Sequence, residues 1–448
     1  NRLMLTIPLK SEEVPLFHAV ANNIRTNPGG TLPTGEGLLW GGGKLSRRKY
    51  FGEEVIHPQL VPYIWLGAET TGLSWFIDSS FGFKLDRKCD ALRISRHNGT
   101  VMLEIDIINM PLQLKCMRTI EFGFQPTPVK PLTDELRRML YDAEGVAIPK
   151  TTRGQFVFPT WLGNYPPWSK LPFRNDFSQF SAIMSALKSG AALDWKPVVH
   201  NFRSQHDIDF FKVISGLPGG TDFSKRIKEL RDGWIKYNLE NPGRGASFSY
   251  AYFDPRLDFK EDEAVKYYKS EWWNPAPQNY FGVWRTTLTQ SHIDYQVYCY
   301  DRALEHGLHG IYLDDVFLMP DNNPDTLARI DDEGEVHSDI GILGLRELIN
   351  RVAVIQHQRG KIPRILQVHM TDALLIPCFA QTTSQLGFED KYGETPLPTR
   401  YTPDYIRTVG LGTKLGVNSL MLSGIHRKTT PLSQWAELVT PLKRSQWA

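Results

Sequence analysis

From Gln155 onward, short apolar runs alternate with longer segments of helical spacing, and this rhythm constrains the fold more than any other feature. Eight apolar runs stand out: FVFPT (156–160), KPVVHNF (196–202), SFSYAYFD (247–254), FGVWRT (281–286), GIYLDD (310–315), RILQVH (364–369), SQLGFED (384–390) and VNSLMLSG (417–424). Between them lie DFSQFSAIMSALKSG, TDFSKRIKELRDGWIKYNLENPG, HIDYQVYCYDRALEHGLHG, GILGLRELINRVAVIQHQRG and TPDYIRTVGLGTKLG, most with apolar residues at helical spacing and several stopping at Gly. Strands alternating with helices imply βα units and a parallel sheet. Eight such units predict a (β/α)8 TIM barrel over 151–448, a fold of typically about 250 residues. Its second unit has the weakest helical pattern. A doubly wound sheet is the alternative, but no GxGxxG or P-loop follows an early strand.

The first third reads differently. GLSWFIDSSFGF, ALRISRHNG, VMLEIDIIN and TIEFGFQPTPV, between Gly72 and Val129, are short alternating or apolar runs separated by turn signals. Asn98-Gly99 between two alternating runs is the strongest short-range hairpin signal. Repeated short strands predict a β-sandwich over 1–150, closed by a connector with one short helix (129–154). The chain is thus expected to be a β domain followed by an α/β domain.

Composition narrows the function classes. Of 448 residues, 41% are hydrophobic and 22% charged, enough to build a core. A net charge of +2 gives no field for nucleic acid or anionic lipid, and no nucleic-acid motif is found. No apolar run is long enough to span a membrane. The start, NRLMLTIPLK, lacks the signal-peptide pattern, although a processed mature start would look the same. Cys89, Cys116, Cys299 and Cys378 form no CxxC pair and are read as free buried thiols. Aromatic residues, 12% of the chain, crowd loop-like stretches such as TWLGNYPPW, which holds Trp161, and SEWWNPAPQNYFGVW. Flat rings in loops suit sugars.

A barrel does its chemistry at the C-terminal ends of its strands. There the sequence places Asp254, Asp314-Asp315, His369 and Glu389-Asp390. Two adjacent carboxylates closing an apolar GIYL are the most pointed of these, because like charges repel and strands disfavour Asp. Glycosidic cleavage needs a group to protonate the leaving oxygen and another to stabilise or attack the oxocarbenium-like centre. Neighbouring carboxylates split these roles, since like charge and partial burial raise one pKa. Tyr312, Trp284 and Tyr252 end or line neighbouring strands and are read as pocket walls. The acidic loop 321–339 offers oxygen ligands for Ca2+ but lacks EF-hand spacing, so it is read as a solvated loop. No metal site and no cofactor is assigned. His200, His292 and His426 are read as hydrogen-bonded histidines; Arg285, Lys391 and Arg427, near the active face, could meet sulfate or carboxylate but are read as surface cations paired with local acids.

GLSWFIDSSFGFKL and TIEFGFQPTPVKPL resemble the β-sandwich domain of glycoside hydrolase family 123 and its relatives, and GIYLDDVF, VHMTDALLIPCFAQ and FEDKYG resemble its barrel. The resemblance covers about residues 70–424. It implies a retaining β-N-acetylgalactosaminidase in which the substrate's 2-acetamido oxygen attacks C1. Asp314 would orient the acetamido group and Asp315 would be the acid and base. The family's second residue is Glu, and here it is Asp, one methylene shorter. The sequence-level expectation is therefore a secreted or periplasmic glycan hydrolase. Its catalytic residues are Asp315, Asp314 and Glu389, and its sugar contacts are Tyr312, Trp284, Tyr252, Asp254, His369 and Trp161. Two rivals stand beside it: direct hydrolysis by one of the Asp pair with Glu389, and a catalytically silent carbohydrate-binding protein.

Overall fold

The computed structural model describes residues 2–21, 27–43, 49–50, 53–54, 60–113, 117–132, 154–157, 248–259, 263–274, 283–305, 310–361, 364–371, 373–387, 401–410 and 412–421. Its strands are β1 (Leu3–Lys10), β2 (Leu16–Val20), β3 (Gly29–Thr31), β4 (Gly37–Gly41), β5 (Lys49–Tyr50), β6 (Glu53–Glu54), β7 (Tyr63–Gly67), β8 (Gly72–Phe76), β9 (Leu92–His97), β10 (Thr100–Ile108) and β11 (Gly123–Thr127). Then follow β12 (Gly154–Val157), β13 (Phe248–Phe253), β14 (Leu257–Phe259), β15 (Val283–Arg285), β16 (Gly310–Leu313), β17 (Arg329–Ile330), β18 (Val336–His337), β19 (Ile365–Thr371), β20 (Ser384–Gly387) and β21 (Asn418–Met421). The described helices are α1 (Glu263–Tyr267), α2 (Lys269–Trp272), α3 (Gln290–Glu305), α4 (Ile342–Gln358), α5 (Pro403–Val409) and α6 (Gly412–Leu415). The chain divides into two compact units. One is Asn1–Thr133 with Val316–Arg346 and His369–Ala448; the other is Asp134–Asp315 with Glu347–Val368.

In the first unit, β1-β10-β9-β4 and β11-β8-β7-β2-β3 form two antiparallel sheets, the components a sandwich requires. The predicted hairpin joins β9 to β10: Asn98 and Gly99 both have positive φ, 51° and 74°, as a type I′ turn demands. β10 alternates inward and outward residues, whereas β2 and β7 are buried throughout. Trp65 and Trp75 are fully buried, and the Trp65 indole N–H donates to Thr127 Oγ1 at 3.0 Å. Later segments build onto this unit. Asp78 accepts the N–H groups of Ile342 and Leu343 at the start of α4, the anionic cap a helix N-terminus favours. β20 and β21 pair in parallel.

In the second unit the register is parallel throughout the main ladder. β12 pairs with β13, β13 with β16, and β16 with β19 through Leu313↔Val368. Ile311 and Leu313 on one face and Tyr312 on the other are all buried, as expected of a parallel strand covered on both faces. β16 must begin with Gly: a Cβ on Gly310 would lie 2.6 Å from both the Cβ and the carbonyl oxygen of Ile365. α3 carries the predicted helical pattern of 292–310, and α4 that of 341–360. One expectation fails. The sequence predicts a barrel strand at FGVWRT, but β15 pairs antiparallel with β14. A short apolar run has no pairing direction of its own; here α1 and α2 lie between the two strands in the chain. The second barrel run, KPVVHNF, the helices predicted over 176–190 and 221–243, and most of the connector lie outside the described residues. Cys299 and Cys378 are buried as expected, but Cys89 is exposed; Cys116 lies outside the described residues.

Candidate active site

The parallel register sets the site. Phe253 is level with Leu313, so Asp254 and Asp314 are the next residues on adjacent strands, which lie about 4.8 Å apart. The ladder continues one step past the strands, as the Asp314 N–H donates to the Phe253 carbonyl at 2.7 Å. Two residues earlier, Tyr252 is level with Tyr312, whose ring is buried. Tyr312 is also level with Gln367 on β19; His369, 5% exposed, belongs to the first unit.

Asp315 turns the chain. Its φ is +52°, one of only two positive values at non-glycine positions among the described residues. L-residues pay for this left-handed conformation, and Asp and Asn tolerate it better than most because a short polar side chain can bond locally. The backbone there is held by the preceding residue: Asp314 Oδ1 accepts the Asp315 N–H at 2.9 Å. The Asp315 carbonyl in turn accepts from the Arg256 guanidinium at 2.8 Å. The conformation supplies a physical reason for Asp where the family resemblance leads one to expect Glu. It also breaks the strand alternation that would send adjacent side chains to opposite faces. Strained residues of this kind concentrate at functional sites.

Arg256 and its neighbours were not anticipated, although FDPRLD, directly after β13, alternates polar residues at 254, 256 and 258. Asp254, 6% exposed, accepts the Arg256 N–H at 3.1 Å. Asp258 is fully buried and accepts from Gln296 at 2.9 Å and Thr286 at 2.5 Å, and its Oδ2 lies 2.7 Å from His292 Nε2. This hydrogen-bond network fixes β14 and β15 onto α3. Burial drives the Tyr300 hydroxyl well above its ordinary pKa, and the charges of Asp258, Cys299 and Asp254 add to it, so it stays protonated.

Of the residues read as functional, Asp254, Tyr312, Asp314 and Asp315 come together in the second unit. Trp284 does not end a barrel strand; it sits on β15 opposite Asp258. Tyr252 is placed by its backbone register. Glu389 and Trp161 lie outside the described residues, as do His200, His426, Asp390, Lys391 and Arg427. Arg285, expected at the surface, is instead buried on β15.

One set among the described residues could hold a metal. The ligand atoms of Asp331, Glu335 and His337 lie within 4.8 Å of one another, in the loop considered for Ca2+. Protein groups already occupy it. His337 Nε2 meets Asp331 at 3.1 Å and its Nδ1 meets Ser80 Oγ at 2.9 Å, while Lys84 and Arg87 stand 3.7 and 3.5 Å from Glu335.

No family model matches the sequence, and none of the curated proteins matches it. Among solved structures the chain is similar to an α-galactosidase from Thermus thermophilus in complex with stachyose, with 11% identity over 99% of this chain and 88% of that one, at a TM-score of 0.38. A family 36 α-galactosidase from Geobacillus stearothermophilus in complex with stachyose gives 12%, 97%, 58% and 0.40 on the same measures. The glycoside hydrolase domain of PelA from Pseudomonas aeruginosa gives 12%, 35%, 55% and 0.23. The chain spans little more than half the length of the last two. Overlap this weak decides neither fold nor chemistry, and the resemblance to family 123 rests on the sequence motifs alone. No described helix is long and apolar enough to cross a membrane.

Proposed function

We propose that this chain is a glycoside hydrolase that removes a β-linked 2-acetamido sugar, N-acetylgalactosamine, with retention and with assistance from the substrate. The observation that carries the reading is the Asp314–Asp315 pair at the C-terminal end of β16, with Asp315 in a left-handed conformation and its carbonyl held by Arg256. In this mechanism Asp314 accepts the acetamido N–H, which aims the acetamido oxygen at C1. Asp315 gives its proton to the leaving oxygen as the C1–O bond breaks and the oxazolinium ring closes. The Asp315 carboxylate then takes a proton from water, which opens the ring and restores the acetamido group. A secreted or periplasmic setting, where glycans are met, belongs to the same proposal.

The register supports a second reading. Asp254 beside Asp314 supplies two carboxylates at the ends of neighbouring strands, and a pair of carboxylates is what direct glycosidic cleavage uses. That pair would act directly, without an acetamido group. Turnover of an aryl β-N-acetylgalactosaminide and an aryl β-galactoside at equal concentration separates the two. Cleavage of the first alone is expected. Comparable cleavage of the second would transfer the nucleophile's role to Asp254, and no cleavage of either would leave the silent sugar-binding reading.

A further inference from the structure

Resting on the hydrolase reading, we propose that Lys269, Trp273 and Trp284 form a binding subsite for an acidic residue of the glycan, carrying carboxylate or sulfate. Most large aromatic rings among the described residues are buried, Trp65, Trp75 and Trp272 completely. The α1–α2 segment departs from that pattern: Tyr267 is 81% exposed, and Trp273 and Tyr268 are each 37% exposed. Trp272 explains how they are held out. Its ring is buried, stacks on Tyr268 at 4.7 Å and 11°, and donates its N–H to Ser291 Oγ at 2.7 Å. The segment is therefore anchored from below while Trp273 faces outward.

Trp273 then meets β15. The Asn274 N–H donates to the Arg285 carbonyl at 3.0 Å, and the Thr287 N–H to the Trp272 carbonyl at 2.8 Å. This pairing sets Trp273 opposite Thr286 and diagonal to Trp284, with ring centroids 6.5 Å apart. The Lys269 ammonium stands 5.0 Å from both centroids. Two indole faces with one ammonium between them make a positively charged aromatic notch. A sugar ring stacks its C–H face on indole, and an acidic substituent on that ring reaches the ammonium. The nearby carboxylate of Glu271 accepts from Ser291 Oγ, which turns that oxygen toward α3.

The notch is tied to the reacting end of the ladder. The Thr286 N–H donates to the Arg256 carbonyl at 2.9 Å, and Arg256 holds Asp315. A glycan cleaved at Asp315 would extend along this ribbon, so the subsite selects the unit beyond the bond.

The test is titration of intrinsic Trp fluorescence at low salt with three oligosaccharides. One alternates N-acetylgalactosamine with a uronic acid, one is the same chain with its carboxylates reduced to alcohols, and one is the sulfated form. The acidic chains should bind at least tenfold tighter than the reduced chain, and the sulfated arm tells which anion is preferred. Lys269→Gln should abolish the difference, Lys269→Arg should restore most of it, and Trp273→Ala should weaken all three chains about tenfold. Equal binding of acidic and reduced chains, no binding of any, or indifference to Lys269→Gln would overturn the proposal. Lys269-dependent acidic binding without cleavage of any aryl glycoside would uphold the subsite while the hydrolase reading failed.

Discussion

At the scale of single residues, Asp315 has two requirements placed on it, one by its backbone and one by its proposed chemistry. Asn keeps the tolerance for a positive φ but cannot donate a carboxylic proton. Asp315→Asn should therefore leave the urea midpoint nearly unchanged and lower turnover of substrates with poor leaving groups by about 10²–10⁴-fold. Activated aryl substrates should lose much less. Asp315→Ala should lose activity and also roughly 1 kcal/mol of stability, because a side chain with no local polar bond occupies the left-handed region. Full activity in the Asn variant would remove Asp315 from the acid–base role. The sequence revealed the pair, but not its conformation: LDD names two carboxylates and is silent on φ. Nor does it name Arg256, since an arginine past a strand is ordinary until its partner carbonyl is known.

Among elements, legibility followed local signals. Asn98-Gly99 fixed a hairpin because both residues accept the φ values that turn requires. The helical spacing of 341–360 became a 17-residue helix. FGVWRT was misassigned because its partner, LDF on β14, lies across two short helices, and nothing in three residues encodes which strand they meet. Gly310 was equally unreadable: its necessity comes from Ile365 across the ladder. Gly310→Ala should cost about 1–3 kcal/mol, the usual range for overpacking, read as a lower urea midpoint at constant slope. The β17–β18 hairpin gives a pH signature. Burial pushes Asp331 upward, but the N–H groups of Glu335 and Glu333 and the His337 ring outweigh it and hold it near about 2, against 3.8 unfolded. The stability this contributes is complete above about pH 4 and disappears as pH falls toward about 2. Asp331→Asn should flatten the acid limb in that window, and an unchanged limb would show that the hairpin opens independently of global unfolding.

On the scale of the whole molecule, two buried bases in the first unit should shape its stability across pH. Burial lowers His18 to about 3; the Pro28 carbonyl, 3.0 Å from Nδ1, opposes this and the charge of Lys414 reinforces it. The Leu374 N–H donates to Nε2 at 3.4 Å, so the neutral ring donates from Nδ1 and accepts at Nε2. Unfolded chains bind a proton at about 6.5 that the folded one refuses until about 3, so stability falls as pH drops through that interval. Lys414 acts at the other end. Burial brings it to about 7 from 10.5, with Glu69 raising it and Arg407 lowering it, while its ammonium reaches the carbonyls of Arg407 and Thr408 beside the Trp65 ring. Between about 7 and 10.5 the unfolded state again holds more protons, so stability must rise with pH. At about 1.4 kcal/mol per unit, each interval carries several kcal/mol. Urea midpoints measured from pH 4 to pH 10 should climb in two stages separated near neutrality, where most proteins instead reach their maximum. Lys414→Met, close in length and without charge, should remove the upper stage and leave the lower one in place. A single maximum near pH 7 in the parent chain would show that Lys414 keeps its proton when folded and is paired more strongly than two carbonyls and an indole can explain.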